Sequence, residues 1–261
     1  MSTEQMFYST GQEVFKYAIT FALLYQTSRY LISPHLLGKY SKIYHTLQFG
    51  EQTYWDSSIV STIHAIIVSY LALTAAYNGS FWSSWPHFQL TLTSPESHLA
   101  LQVMTGYMIS DGLTIFYYRK EKAWQSMKTA TLIHHSVVTL IHFMIMTLDF
   151  GHTFALIGTI TEITTPLINN RWFLYTSKEA DSNLYFYNGI SLVFMWFVVR
   201  IVIAGPGSLI PLYMNEESLE WYHKLVFWTT YGLMYPLQWM WFIKLVKGAL
   251  KALDKDPKKK D

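Results

Sequence analysis

The sequence lacks cysteine altogether, so disulfide bonds, thiol nucleophiles and thiolate metal sites are excluded, although the compartment is not identified. Charged side chains are also scarce: Asp, Glu, Lys and Arg make up 14% of the 261 residues. A soluble domain carries about 25% of such residues. With 51% hydrophobic residues, the chain has more apolar surface than one core of its size could bury. The composition therefore indicates an integral membrane protein.

Long apolar stretches recur along the chain, and a helix needs about 20 mostly apolar residues to cross a bilayer. We predict an all-α membrane protein of about seven transmembrane helices: Val14–Ile32, Ser57–Tyr77, His98–Tyr118, Thr131–Leu148, His152–Asn169, Leu184–Ala204 and His223–Val246. The first is the weakest, because it contains Lys16 and Arg29. No basic segment precedes it and no small-residue cleavage site follows. We therefore expect it to remain as a membrane anchor.

The basic residues of the connections alternate along the chain. The first, third and fifth connections and the C-terminal tail contain Lys or Arg, whereas residues 78–97 and 205–222 contain neither. Because basic loops stay in the cytosol, this alternation predicts a lumenal N-terminus and a cytosolic C-terminus. Residues 258–261 read Lys-Lys-Lys-Asp and resemble a dilysine retrieval signal, which indicates the endoplasmic reticulum. A basic tail attracted to anionic lipid is the alternative.

Polar side chains occur at a similar depth in five of the predicted helices: His64, Asp111, Glu162, Gln238, and the pair His134 and His135. Counted from the cytosolic ends, they lie about 5 to 12 Å below the membrane boundary. Such groups would be unsatisfied in lipid, so we expect them to face inward around one cavity. Separate interhelical hydrogen bonds are the alternative.

The two adjacent histidines cannot both face one small site squarely, because neighbouring helical residues point about 100° apart. One can react while the other packs or orients it, and the sequence does not decide which. His142 lies two turns deeper than His135, on nearly the same face. An adjacent pair that lies level with two carboxylates indicates a functional site, and hydrogen-bonded packing residues are the alternative.

Three further features lie near the ends of the predicted helices. We expect Arg200, near the lumenal end of the sixth, to extend to the lipid headgroups in a structural role. Pro166 is expected to kink the fifth helix. Asn169, Asn170 and Arg171 fall at its cytosolic end, where they contact lipid headgroups or act as ordinary interfacial anchors.

Four blocks of sequence, in order, resemble the TLC domain, the region shared by ceramide synthases and TRAM proteins. They are Trp55–His64, Gly106–Asp111, Ile133–Ser136 with its paired histidines, and Glu162–Phe173, which is similar to a block of one small subgroup of that family. The resemblance covers about residues 50 to 250. It divides the chain into an N-terminal helix with a basic connection (1–50), a TLC domain (51–250) and a basic tail (251–261).

The resemblance implies a six-helix bundle around a lipid-sized cavity, preceded by one extra helix. In ceramide synthases the paired histidines serve acyl transfer from acyl-coenzyme A to a sphingoid amine. Carried to this chain, His134 or His135 would be the base or acyl acceptor, supported by Asp111, Glu162 and His64. The chain departs from that pattern, because ceramide synthases have two aspartates where it offers Glu162 alone.

Four functional hypotheses follow. The first is a lipid-homeostasis protein that binds membrane lipids or acyl chains in a cavity open to the cytosol. The second is a ceramide synthase-like N-acyltransferase with acyl-coenzyme A as co-substrate. The third is a di-iron lipid hydroxylase or desaturase, disfavoured because most histidines lie outside the polar layer. The fourth is an accessory protein of cargo escort or translocation. We predict no metal, no other cofactor and no nucleic-acid partner; oligomeric state and enzymatic activity stay open.

Overall fold

The computed structural model describes residues 3–79, 92–125, 128–214 and 219–253, and this part of the chain is helical without any strand. The dilysine-like residues 258–261 lie outside it. The helices are α1 (Thr3–Thr27), α2 (Lys39–Tyr44), α3 (Phe49–Asn78), α4 (Pro95–Tyr118), α5 (Lys128–Leu148), α6 (His152–Ile160), α7 (Thr165–Thr176), α8 (Asn183–Met195), α9 (Pro206–Met214) and α10 (Trp221–Leu253).

Irregular turns interrupt three of the long helical stretches. A π-helical segment, Ser28–Leu36, continues α1, and a second, Trp196–Ile203, joins α8 to α9. A 3₁₀ turn at Thr161–Thr164 separates α6 from α7, and Pro166 occupies the first turn of α7. Proline is tolerated there because a first-turn residue has no intrahelical partner for its N–H. The predicted kink is therefore present, as a break just ahead of Pro166.

Four helical stretches in the described residues are long and apolar enough to cross a membrane: Phe49–Asn78, Pro95–Tyr118, Thr129–Leu148 and Asn183–Met214. They coincide with the second, third, fourth and sixth predicted helices. The sequence predicted that the last of these stretches ends at Ala204, whereas in the structure it continues to Met214. The remaining predicted helices fall on α1, on α6 with α7, and on α10. The protein is an all-α membrane protein.

Much of the outer surface is apolar, which explains the composition. Large side chains on several helices point outward, among them Phe15, Ile66, Phe194 and Trp228. Exposed large apolar side chains in such number indicate a surface that contacts other molecules or a membrane. Lipid tails are the natural neighbours of these side chains.

The first helix packs closely against α4 at a glycine. A Cβ added at Gly106 would lie 2.5 Å from the Cβ of Tyr17 and 2.9 Å from the backbone nitrogen of Ala18. No larger residue fits without moving α1. Close approach of helices at small residues is typical of membrane bundles, which lack a hydrophobic driving force between helices.

Asp56 fastens the segment after α1 to the first turns of α3. Its fully buried carboxylate accepts hydrogen bonds from the Ser33 hydroxyl at 2.5 Å and the Tyr44 hydroxyl at 3.0 Å. The hydroxyl of Ser28 donates to the Asp56 carbonyl at 3.3 Å. Burial, together with the neighbouring Asp56 charge, raises the pKa of Tyr44, so its hydroxyl keeps the proton that it donates.

Candidate functional site

Two neighbouring pockets lie inside the bundle, and His134 and Glu162 contribute to the walls of both. The larger pocket, of about 420 Å³, carries most of the polar groups. The smaller, of about 100 Å³, is lined chiefly by apolar residues such as Val138, Ile141 and Met234. The larger volume lies in the range of about 300 to 1,000 Å³ that is usual for small-molecule sites.

Asp111 and His135 form one side of the larger pocket. The His135 Nε2 lies 3.0 Å from Oδ2 of Asp111, and the Ser57 hydroxyl donates to Oδ1 at 2.8 Å. The His135 Nδ1 lies 2.9 Å from the Thr131 carbonyl, which can only accept, so Nδ1 carries a hydrogen. The Nε2–Oδ2 contact then needs a second proton, on the ring or on the carboxyl group. His135 therefore has no lone pair left with which to act as a free base.

His134 differs from its neighbour in its bonding. Its Nδ1 is buried and makes no hydrogen bond to any described residue. The ring lies edge-on to Trp241, with centroids 5.7 Å apart, and borders both pockets. The geometry thus separates the two histidines: His135 is held by Asp111 and Thr131, whereas His134, on the walls of both pockets, has an Nδ1 with no hydrogen-bond partner among the described residues.

Glu162 and Arg200 form a buried ion pair across the cavity. Arg200 donates from Nη2 to the Glu162 carboxylate at 3.2 Å, and the Thr165 hydroxyl donates to the other carboxylate oxygen at 2.7 Å. Arg200 also donates to the Thr164 hydroxyl at 2.7 Å and towards the Gln238 side-chain oxygen at 3.4 Å. Both charged groups are almost completely buried. Each charge neutralises the other, and a buried charge requires such a partner.

The expected headgroup position of Arg200 is wrong. The residue lies near the middle of the Asn183–Met214 stretch, because that stretch continues ten residues past the predicted end at Ala204. The π-helical segment around Arg200 directs the guanidinium inward, over the ring of Trp196 at 4.5 Å and onto Glu162. The sequence held one signal for this pair: a membrane-buried carboxylate requires a cation, and Arg200 is the basic residue of that helix.

His64 does not join the shared chamber that the depth count predicted. It is fully buried and stacks on Tyr107, with ring centroids 3.6 Å apart, while Phe21 packs edge-on at 5.6 Å. Neither ring nitrogen has a hydrogen-bond partner among the described residues. Equal depth does not fix the helical face, and His64 points toward α1 and α4. Tyr107, which lines the larger pocket, separates it from the cavity.

The three residues proposed to meet headgroups have different surroundings. Asn169 is buried and lines the larger pocket, where its amide donates to the Ser58 carbonyl at 3.1 Å and the Thr62 hydroxyl at 3.0 Å. Arg171 lies over the ring of Tyr185 at 3.9 Å and donates to that residue's carbonyl. Asn170 is partly exposed. A headgroup role for these residues stays a prediction.

The remaining polar positions lie deeper. Gln238 and His142 are both buried and line the smaller pocket, on the side away from Asp111. The larger pocket ends at Trp124, in the basic connection between α4 and α5, and Lys244 of α10 also borders it. The sequence did not single out Trp124 and Lys244, because aromatic and basic residues near helix ends usually act as interfacial anchors. Tyr107 lies in the middle of α4, where a tyrosine reads as an ordinary packing residue.

Chemically, the cavity combines an apolar interior with two neutralised polar pairs. The Asp111–His135 and Glu162–Arg200 pairs can hold polar groups of a bound molecule without leaving an unpaired charge in the membrane. His134 adds an imidazole nitrogen that can accept or give a proton. This arrangement suits a molecule with a polar end and an apolar chain.

The family model of the TLC domain matches residues 54–247. TLC domain-containing protein 4 A of Dictyostelium discoideum is 27% identical over 89% of each chain, and TLC domain-containing protein 4-A of Xenopus laevis is 28% identical over 87% of each. TLC domain-containing protein 4 of Homo sapiens is 26% identical over 90% of this chain and 87% of its own. No solved structure matches. The resemblance seen in the four sequence blocks is confirmed, and the chain belongs to the TLC domain family, which relates it to lipid metabolism or homeostasis.

Proposed function

We propose that this protein holds the apolar chain of a membrane lipid in its cavity and acts in lipid homeostasis. One observation carries the proposal: the two pockets meet at His134 and Glu162, with paired polar groups on one side and an apolar interior on the other. A lipid is a ligand with this distribution of polarity. Apolar pockets with a few convergent polar groups are the usual form of such sites.

The same distribution of polar and apolar residues in the two pockets orients the bound lipid. Val138, Ile141 and Met234 offer apolar contacts for the chain in the smaller pocket. The ester or amide end of the lipid lies among the Asp111–His135 and Glu162–Arg200 pairs. Its headgroup reaches toward Trp124 and Lys244 at the opposite end of the larger pocket.

We infer that the chain crosses the membrane seven times. Besides the four apolar stretches, α1 has 25 residues and α10 has 33, and each is longer than the roughly 20 that a bilayer requires. The broken stretch from His152 to Thr176 completes the set. The alternating basic connections support a lumenal N-terminus and a cytosolic C-terminus, with the larger pocket opening to the cytosol. The dilysine-like tail supports the endoplasmic reticulum.

A matched pair of glycine substitutions tests the proposal. Gly158 lines the smaller pocket, whereas Gly232 on α10 lines neither of the two pockets; both are exposed, and a Cβ at either would meet no atom within 4 Å. Gly158→Phe therefore fills the cavity, whereas Gly232→Phe adds the same ring to the outer surface. We expect the wild type and Gly232→Phe to co-purify with lipid in similar amounts and Gly158→Phe to lose most of it. Native mass spectrometry and lipid extraction of the purified proteins measure this.

Two results would overturn the proposal. One is a protein with no lipid beyond the amount of the surrounding annulus. The other is equal lipid content in the Gly158→Phe and Gly232→Phe variants, provided that both unfold at the wild-type temperature. The site would then be a packing defect and not a binding cavity.

A second function, acyl transfer from acyl-coenzyme A to a sphingoid amine, is favoured by the position of His134, which lines both pockets. The amine would attack the thioester carbonyl, forming the amide bond while the carbon–sulfur bond breaks. His134 would take the proton from the attacking amine and return it to the departing coenzyme A thiolate. His135, held by Asp111, would position its neighbour and not react.

Membranes containing the protein test this activity with several acyl-coenzyme A donors and sphingoid amines. We expect amide product from the wild type and from His35→Gln, which alters an exposed histidine, and none from His134→Gln. Absence of product with every donor and amine would remove the enzymatic proposal. The lipid-binding proposal would be unaffected, because it requires no reaction.

A further inference from the structure

Two histidines and an aspartate meet at the end of the bundle that lies away from the larger pocket. The cluster consists of His98 in the first turn of α4, Asp149 after α5, and His152 at the start of α6. Thirteen residues of α4, about 20 Å, separate His98 from Asp111. The cluster is thus distinct from the cavity. The lipid-handling proposal makes no use of it.

The turn between α5 and α6 places two of the three side chains. Asp149 adopts a positive φ of 53°, and Gly151 one of 70°. A Cβ at Gly151 would lie 2.9 Å from the ring of Phe227, so glycine suits the position both in conformation and in space. This tight turn brings the Asp149 carboxylate back over the first residue of α6, which is His152.

The hydrogen bonds of Ser97 favour one tautomer of His152. The Ser97 hydroxyl donates to the Ser94 carbonyl at 2.8 Å, so its proton is already used. It lies 2.8 Å from the His152 Nδ1, and with its own proton directed to Ser94 it accepts the hydrogen of that nitrogen. The Nε2 of neutral His152 then carries a bare lone pair. That atom is buried and has no hydrogen-bond partner in the described residues.

The lone pair of His152 faces another acceptor. Its Nε2 lies 3.7 Å from Oδ1 of Asp149, and the Nε2 of His98 lies 3.1 Å from the same oxygen. A cation held between the His152 nitrogen and the Asp149 oxygen would satisfy both atoms. In tetrahedral zinc sites, ligand atoms about 2.1 Å from the metal lie about 3.4 Å apart. All three candidate ligand atoms here lie within 4.8 Å of one another.

We propose that His98, Asp149 and His152 bind a zinc ion. Two imidazoles and one carboxylate form a ligand set that zinc accepts, and a fourth position stays open for water. Ser97 is not a ligand itself, but its hydrogen bond to Nδ1 orients the ligating His152. His152 forms the closed floor of the site, whereas the Asp149 side chain is 43% exposed and that of His98 22%, which gives the ion a path from solvent.

A zinc ion at this point would join three segments of the chain: the start of α4, the end of α5 and the start of α6. The sequence alone predicts no metal, because the ligands come from positions 98, 149 and 152 and show no continuous motif. Only the tight turn at Asp149 and Gly151 brings them together. The signal was present as an aspartate and a histidine three residues apart, which alone is too common to interpret.

Metal titration of the purified full-length protein tests the proposal. The protein, in lipid nanodiscs and stripped with a chelator, is titrated with Zn²⁺ by calorimetry, and retained metal is counted by mass spectrometry after gel filtration. We expect one zinc per chain. His98→Gln and Asp149→Asn should weaken binding by more than the roughly 10- to 100-fold that loss of an outer partner causes. His35→Gln, at an exposed histidine elsewhere, should bind like the wild type.

His98 and Asp149 are the variants of choice because they are partly exposed, whereas removal of the fully buried His152 could disrupt folding. Co²⁺ gives an independent readout, since the wild type should show the visible bands of tetrahedral cobalt and Asp149→Asn should lose them. Failure of the wild type to retain zinc would overturn the proposal. Equal affinity in wild type, His98→Gln and Asp149→Asn would also overturn it and assign the bound ion to another place.

Discussion

The buried pair of Glu162 and Arg200 gives the most demanding test of the site. Removing one partner leaves an uncompensated charge in a low-dielectric place, which typically costs about 3 to 5 kcal/mol. An interhelical hydrogen bond within a membrane averages only about 0.6 kcal/mol. Arg200→Gln and Glu162→Gln should therefore each lower the free energy of unfolding far more than a lost hydrogen bond does.

The double variant separates the charge effect from the rest. With both residues replaced by Gln, no buried charge remains. The loss should then be smaller than the sum of the two single losses, by about 2 to 3 kcal/mol. Arg171→Gln is the matched control, because that guanidinium packs over Tyr185 and its loss should cost about 0.5 to 2 kcal/mol.

Reversible unfolding in mixed micelles, followed by tryptophan fluorescence, measures these free energies. The reasoning is refuted if the two single losses simply add in the double variant. It is also refuted if Arg200→Gln destabilises no more than Arg171→Gln. Either result would mean that Glu162 and Arg200 are not paired charges inside the bundle.

Two further substitutions test the packing around α1. Gly106→Ala forces a methyl group against Tyr17 and should destabilise the protein by about 1 to 3 kcal/mol, measured by the same unfolding assay. Asp56→Ala leaves two buried hydroxyl groups without their acceptor and should cost about 2 to 6 kcal/mol, with faster proteolysis of the connection after α1 as a second readout.

Each has a control of the same chemistry. Gly11→Ala, where a Cβ meets no atom within 4 Å, should leave stability unchanged or slightly raised. Asp181→Ala, at an exposed position, should have little effect. If Gly106→Ala behaves like Gly11→Ala, α1 does not pack on α4 as described. If Asp56→Ala behaves like Asp181→Ala, the carboxylate does not fasten the connection.

The lengths of the apolar stretches in the sequence predicted where most of the long helices lie. The second, third and fourth predicted helices agree with the structure to within a few residues at most ends. The sixth was cut short at Ala204, because Gly205 and Pro206 read as a helix end. In the structure Ala204 and Gly205 form a turn, and α9 continues the stretch from Pro206 to Met214. That one boundary moved Arg200 from the membrane edge to the middle of a helix.

The polar groups of the site were predicted from their depth in the membrane. Depth is only one of the two coordinates that place a side chain on a helix. It grouped Asp111, His135 and Glu162, which the structure places on the walls of the larger pocket. It could not give the direction in which each side chain points, so His64 was grouped with them although it stacks behind Tyr107. Which histidine of the pair is held by hydrogen bonds depended on Asp111 and Thr131, and adjacent positions in a sequence do not reveal that.

Photo-crosslinking with a lipid that carries a diazirine in its acyl chain tests most directly whether the cavity holds that chain. The lipid is incorporated into nanodiscs with the full-length protein, and the modified peptides are identified by mass spectrometry. Labelling should occur at Val138, Ile141 or Met234 inside the smaller pocket, and an excess of unlabelled lipid should suppress it. Labelling confined to outward-facing residues such as Ile66 and Phe194 would contradict the account.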